Sequence, residues 1–184
     1  MKVIGLTGGS GTGKTLISEI MSEYGAFIIN ADDIAHQNLM YNNEMINKIK
    51  KSFGLNVIEE NGFVNRKELG KIVFKDKLKL EELNNITHYY IIEDIKKTIE
   101  NNKNKFELIV IDAPLLIETN LHKLCDYIFI VYADFNTRVE RLLKRDNKSR
   151  DEIINRLNSQ TSFEEIKKYA DFIIENNNNI TLKE

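Results

Sequence analysis

Val3-Ile4-Gly5-Leu6-Thr7-Gly8-Gly9-Ser10-Gly11-Thr12-Gly13-Lys14-Thr15 is the stretch whose reading decides the fold. Its last eight residues fit G-x-x-x-x-G-K-[ST], with Gly8 and Gly13 as the fixed glycines. Val3 to Leu6 is short and apolar enough for a buried parallel strand. Leu16, Ile17, Ile20, Met21 and Tyr24 then recur at helical spacing, with Gly25 placed to end that helix. Strand, glycine loop and helix form the context that a phosphate-binding loop requires. Glycines let main-chain N–H groups turn toward phosphate oxygens, and the helix N-terminus adds partial positive charge. Lys14 is placed to reach the β- and γ-phosphates, and the Thr15 hydroxyl to hold Mg²⁺. The stretch therefore implies binding of a nucleoside triphosphate.

The chain of 184 residues suits one domain with an inserted subdomain. With 42% hydrophobic residues and a formal net charge of −2, it is an ordinary globule without the basic excess of an obligatory nucleic-acid binder. Its single cysteine, Cys125, excludes an internal disulfide or a Cys-rich zinc site and fits a reducing cytoplasm. Cys125 reads as a small core residue before a buried strand. No signal segment precedes the first strand, and no apolar run approaches the roughly 20 residues of a membrane span. The abundant asparagine and lysine read as compositional bias rather than as a binding feature.

Ala26-Phe27-Ile28-Ile29 reads as strand two and runs into Asn30-Ala31-Asp32-Asp33. Ligands of open α/β sheets gather outside the carboxyl ends of strands, so a carboxylate here can face the reacting phosphate. Asp32 or Asp33 could equally be the N-cap of the next helix. Residues 34–103 are mostly helical in pattern. Met45, Ile46, Ile49 and Phe53 share one face, ending at Gly54; Leu69, Ile72, Val73 and Phe74 make another. Val57-Ile58 reads as a short extended piece before an Asn61-Gly62 turn. Leu78 to Ile86 lead into a long helix through Ile99. About seventy residues between strands exceed a simple crossover of a dozen or so, which implies an inserted helical lobe.

Leu108-Ile109-Val110-Ile111 is strand three, followed by Asp112-Ala113-Pro114. Asp112 is either a carboxylate that touches Mg²⁺ through water or a plain turn residue. Tyr127 to Tyr132 is strand four and Phe172-Ile173-Ile174 strand five. Between them, Arg138 to Arg156 concentrates basic residues, with Arg141 and Arg145 one helical turn apart. They form either a solvated helix paired with the interleaved Glu140, Asp146, Asp151 and Glu152, or a lid that closes over a triphosphate. Five apolar strands separated by helical sequence predict a parallel sheet sandwiched by helices.

A GTPase needs Asn-Lys-x-Asp and Asp-x-x-Gly. Here Asn147-Lys148-Ser149 is followed by Arg150, and Asp112-Ala113-Pro114-Leu115 lacks the glycine. The chain is also too short for a typical hexameric motor ATPase. A small-molecule kinase of the nucleoside-monophosphate-kinase type remains.

From residue 3 to about residue 176 the sequence resembles the dephospho-coenzyme A kinase family. The resemblance rests on Leu6-Thr7-Gly8-Gly9 within the loop and on Asp32, which matches the second aspartate of the family's Asp-Ala-Asp. It extends through Gly62 to Leu69, Ile86-Thr87-His88, Pro114-Leu115-Leu116-Ile117-Glu118, Arg141 with Arg145, Gln160, and Ala170-Asp171 with Asn176. Asn30 stands for the family's first aspartate, His36 for an arginine, Asn65 for an aspartate and Tyr89 for a proline. The resemblance implies transfer of phosphate from ATP to the ribose 3′-hydroxyl of dephospho-coenzyme A, the last step of coenzyme A synthesis, with Mg²⁺ as cofactor. It implies Asp32, Lys14 and Arg141 in catalysis, and Gly8 to Leu16 with Arg141 and Arg145 around the nucleotide. Asp32, Arg66, His88 and Leu115 would meet the acceptor, although a lone His88 is more often a core or capping residue. Thr15, and Asp112 through water, would serve the metal.

The expected layout is a core of about 1–33, 104–135 and 160–184, an acceptor lobe of about 34–103 and a lid of about 136–159. The expected protein is cytoplasmic, monomeric or weakly homo-oligomeric, with neither nucleic acid nor membrane as partner. The alternatives are a kinase of the same architecture with another acceptor, and a nucleotide-dependent switch that transfers phosphate to nothing.

Overall fold

Continuous apolar runs become strands, and all five that the sequence marks do so. The strands are β1 (Lys2–Thr7), β2 (Phe27–Asn30), β3 (Leu108–Asp112), β4 (Tyr127–Tyr132) and β5 (Phe172–Glu175). They form a parallel sheet in the order β2-β3-β1-β4-β5. Leu6 stands opposite Asp112 on one side and Phe129 on the other, which puts β1 at the centre. The computed structural model describes residues 1–177, and they separate into two compact units. One is Met1–Ile29 with the described residues from Asn102 onward; the other is Asn30–Asn101. The last part of the expected core segment 160–184, beyond residue 177, lies outside the described residues.

In the first unit, Ile109, Val110, Ile111 and Ile130 are fully buried, each contributing about 1.5–3 kcal/mol. The outermost strand, β5, leaves Phe172 and Ile173 exposed. Aspartates fasten strand starts to their neighbours. Asp126 accepts the Val3 N–H at 2.7 Å, and Asp171 accepts the Ile128 N–H at 2.8 Å. The Val3 N–H, helped by Lys2, holds the Asp126 carboxyl below the usual range. Helix α1 (Lys14–Glu23) follows β1. The link from β3 to β4 contains turns and a short 3-10 helix, Leu121–Leu124, rather than an α-helix. Leu116 in that link packs so tightly on β1 that a Cβ at Gly5 would lie 2.6 Å from its Cδ2.

Beyond β4, α6 (Phe135–Arg145) and α7 (Arg150–Asn158) pack through Val139, Leu142, Ile153 and Leu157, a small core of their own. Ser149 and Glu152 form a reciprocal capping box that starts α7. A one-turn helix, α8 (Phe163–Ile166), precedes β5.

The second unit contains α2 (Ala31–Tyr41), α3 (Asn43–Phe53), α4 (Arg66–Val73) and most of α5 (Lys77–Asn102). Met45, Ile46, Ile49 and Phe53 of α3 form its core with Val57, Leu69, Val73 and Tyr90. Two local expectations need correction. Phe74 lies beyond the last turn of α4 and is exposed rather than on its apolar face. Leu55–Val57 is a 3-10 turn; only Ile58 is extended, bridging Val64 across the Asn61-Gly62 turn.

Helix starts explain part of the asparagine content. Asn30, Asn42 and Asn65 are the N-caps of α2, α3 and α4, each accepting helix N–H groups through its side chain. Neither Asp32 nor Asp33 caps α2, because Asn30 accepts both of their N–H groups, at 2.9 and 3.2 Å. Asparagine caps about as well as aspartate but adds no charge. Asn65→Ala should therefore lose about 1 kcal/mol in urea denaturation, while Asn65→Asp stays close to the parent.

Candidate active site

Between β1 and α1 the chain turns tightly. The Thr12 hydroxyl donates to Gly9 O at 2.9 Å, and the Thr12 N–H reaches the same carbonyl at 3.3 Å. Gly13, at φ 89°, opens α1. A Cβ there would collide with Asn176 Nδ2, so backbone angle and space both demand glycine. The start of α1 has no side-chain cap and no acidic residue in its first turn. Its free N–H groups and positive dipole end suit an anion. Lys14 Nζ pairs with Asp112, and both side chains are largely buried. Asp112 stands opposite Leu6 at the end of β3, so strand pairing brings this carboxylate to the loop.

Four other residues close on the loop from outside. Arg138 Nε donates to Ser10 O at 2.8 Å, and its Nη2 donates to Gln160 Oε1 at 2.8 Å. Gln160 Oε1 also accepts the Ser10 N–H at 3.1 Å, while its Nε2 donates to Ser10 Oγ at 2.8 Å. Arg141 Nη1 donates to Gly11 O at 3.2 Å and Thr12 O at 3.3 Å. Buried Asn176 donates to Thr12 O at 2.8 Å and accepts from Arg141 Nη2 at 3.4 Å.

Arg145 does not join this group. Its guanidinium forks onto Asp146 at 2.7 and 3.1 Å, and Arg156 meets the same carboxylate at 3.1 Å. The basic stretch therefore divides between the two readings. Arg138 and Arg141 face the loop, whereas Arg145 and Arg156 form a solvated pair around Asp146. Arg138 is the loop residue that the i,i+4 pairing of Arg141 with Arg145 passes over. Its i,i+3 spacing to Arg141 is the signal that could have found it.

Leu115 is exposed directly after Pro114, whose carbonyl accepts from the Thr7 hydroxyl at 3.1 Å. In the second unit, Asp32 lies in the first turn of α2. Arg66 Nη1 lies 3.3 Å from His36 Nδ1. His88 is half-buried in α5, and burial lowers its pKa, so its imidazole is neutral at pH 7. Mg²⁺ commonly takes one or two protein oxygens besides phosphate and water. The exposed Thr15 hydroxyl and the Asp112 carboxylate are donors of that kind.

Cys125 takes no part in this chemistry. Its Sγ donates to Leu121 O at 3.5 Å, and burial pushes the thiol up to about 12. In the folded protein it should react with an aromatic disulfide reagent at pH 8 far more slowly than after unfolding in urea. Gly13→Ala should abolish nucleotide binding in calorimetry and lower the melting temperature.

The dephospho-CoA kinase family model matches residues 2–181. A dephospho-CoA kinase of Carboxydothermus hydrogenoformans is 40% identical over 181 residues, covering 98% of this chain and 88% of that protein. Among solved structures, TT1252 of Thermus thermophilus superposes with a TM-score of 0.80 at 26% identity, over 95% of this chain and 88% of that one. The dephospho-CoA kinase of Campylobacter jejuni superposes with a TM-score of 0.69 at 32% identity, over 96% and 88% respectively. Whole-length agreement of this kind settles what a phosphate loop by itself leaves open: the chain belongs to the dephospho-CoA kinase family, enzymes that phosphorylate dephospho-CoA to coenzyme A.

Proposed function

We propose that this chain transfers the γ-phosphoryl group of ATP to the ribose 3′-hydroxyl of dephospho-CoA, with Asp32 as the base. The observation that carries the reading is the loop itself. Its amides and the uncapped start of α1 offer a polyanion donors and positive charge, and the guanidinium groups of Arg138 and Arg141 are held on the carbonyls of the same loop.

In this reading Gly8 to Leu16 wrap the phosphates, and Lys14 turns from Asp112 toward the β/γ bridge. Arg141, already lodged on Gly11 and Thr12, neutralises charge as it spreads over the transferring group. Thr15, and Asp112 through water, would hold Mg²⁺, which would supply further positive charge there. Asp32 follows the carboxyl end of β2, the side of an α/β sheet where ligands gather. It accepts the hydrogen bond of the 3′-hydroxyl, aims that oxygen in line at phosphorus and takes its proton. In this reading Arg66, His88 and Leu115 also meet the acceptor. We place the enzyme in the cytoplasm as a monomer or weak homo-oligomer, with neither nucleic acid nor membrane as partner. A net charge of −2 and a single cysteine support that placement.

The reading is tested by ATP consumption over a panel of acceptors that includes dephospho-CoA. Turnover should appear with dephospho-CoA; transfer only to another alcohol, or to nothing, would reject it. Asp32→Asn should lower kcat by ~10²–10⁴, roughly 3–5 kcal/mol, with little change in ATP affinity. Collapse of ATP binding would make Asp32 a structural or metal residue. Lys14→Ala should damage both binding and turnover.

A further inference from the structure

The cations of the first unit differ in how their charge is answered. Lys14 meets Asp112, Lys2 meets Asp126, and Arg145 and Arg156 share Asp146. Arg138 meets no carboxylate among the described residues. Its guanidinium is half-buried, and its hydrogen-bond partners are two neutral oxygens, Ser10 O and Gln160 Oε1. Those bonds use two of the five N–H donors of the guanidinium, leaving the rest of the fork for an anion. Burial of a charge without a counter-charge is costly, and desolvation pulls the Arg138 pKa down.

Its position says which anion. A Cβ built on Gly9 would lie 2.5 Å from Arg138 Nη2 and 3.1 Å from Cζ. The fork thus rests on the first turn of the phosphate loop, well before the start of α1. In a loop of this kind the amides at the start of α1 take the inner phosphates, and Lys14 spans the β- and γ-phosphates from one side. The Gly9-Ser10 end is left for the outermost one. Gln160 bonds to both Arg138 and Ser10, so it fixes the guanidinium against the loop.

We propose that Arg138 is the counter-charge for the terminal phosphate and the residue that distinguishes a nucleoside triphosphate from a diphosphate, with Gln160 as its positioning residue. This rests on the phosphate loop binding a nucleotide and is independent of which acceptor is used.

The test is calorimetric binding of Mg²⁺·ADP and of a non-hydrolysable Mg²⁺·ATP analogue to the full chain, without acceptor. Arg138→Gln should weaken the analogue about 10- to 100-fold while ADP changes less than about 3-fold. Arg138→Lys should lose part of that preference, since a point charge replaces a bidentate fork. Gln160→Ala should move the ratio the same way by a smaller factor. Equal weakening of both nucleotides, or no change in either, would make Arg138 a strut of the loop and overturn the inference. If Arg138→Gln does not fold, the same two ratios measured on Arg138→Lys and Gln160→Ala decide between discrimination and strut. Failure of the acceptor reading would leave these ratios intact. Failure of the parent protein to bind either nucleotide would overturn the inference together with the phosphate-loop reading.

Discussion

Main-chain N–H groups can converge on one anion only where no Cβ stands between them, and the structure depends on keeping such a loop open. The loop is braced from within by Thr12 on Gly9 O and from elsewhere in the chain. Arg138, Arg141, Gln160 and Asn176 all bond to loop atoms, the carbonyls above all. Holding the carbonyls from outside is one way to leave amides turned inward. It also explains why distant parts of the chain must come together. Side chains 128 to 164 positions beyond their loop partners reach them because β1 lies between β3 and β4, with β5 alongside β4.

The basic segment after β4 shows how one helix can serve two purposes. Residues three apart share a face, so α6 puts Arg138 and Arg141 on the loop and its buried Val139 and Leu142 against α7. Its last turn instead braces the helix pair through Asp146. The Arg145 fork is taken up by the Asp146 carboxylate, whereas Arg138 is held by the neutral oxygens of Ser10 and Gln160. Counting arginines therefore says less than asking what neutralises each.

Much of this was legible in advance. Unbroken apolar runs marked the five strands to within a residue or two at each end; in β1 and β3, buried nearly throughout, little else could stand. The face of Met45, Ile46, Ile49 and Phe53 was equally plain, and all four are buried. What escaped was decided by partners remote in sequence. Arg145 looked equivalent to Arg141 until its neighbour Asp146 took it, and Arg138 became a loop residue only through Ser10 and Gln160. Asp32 as a cap was excluded by Asn30, a competition between nearby side chains that spacing does not resolve. Asn30 is an uncharged cap, so it adds no negative charge beside Asp32.

The most direct measurement is a crystal structure with dephospho-CoA and a non-hydrolysable ATP analogue bound together. The account predicts the terminal phosphate within the Gly8–Thr15 loop and the ribose 3′-hydroxyl in line with it, at hydrogen-bond distance, about 2.6–3.2 Å, from the Asp32 carboxylate. An Asp32 turned away from that hydroxyl, or an acceptor seated where no in-line approach exists, would contradict it.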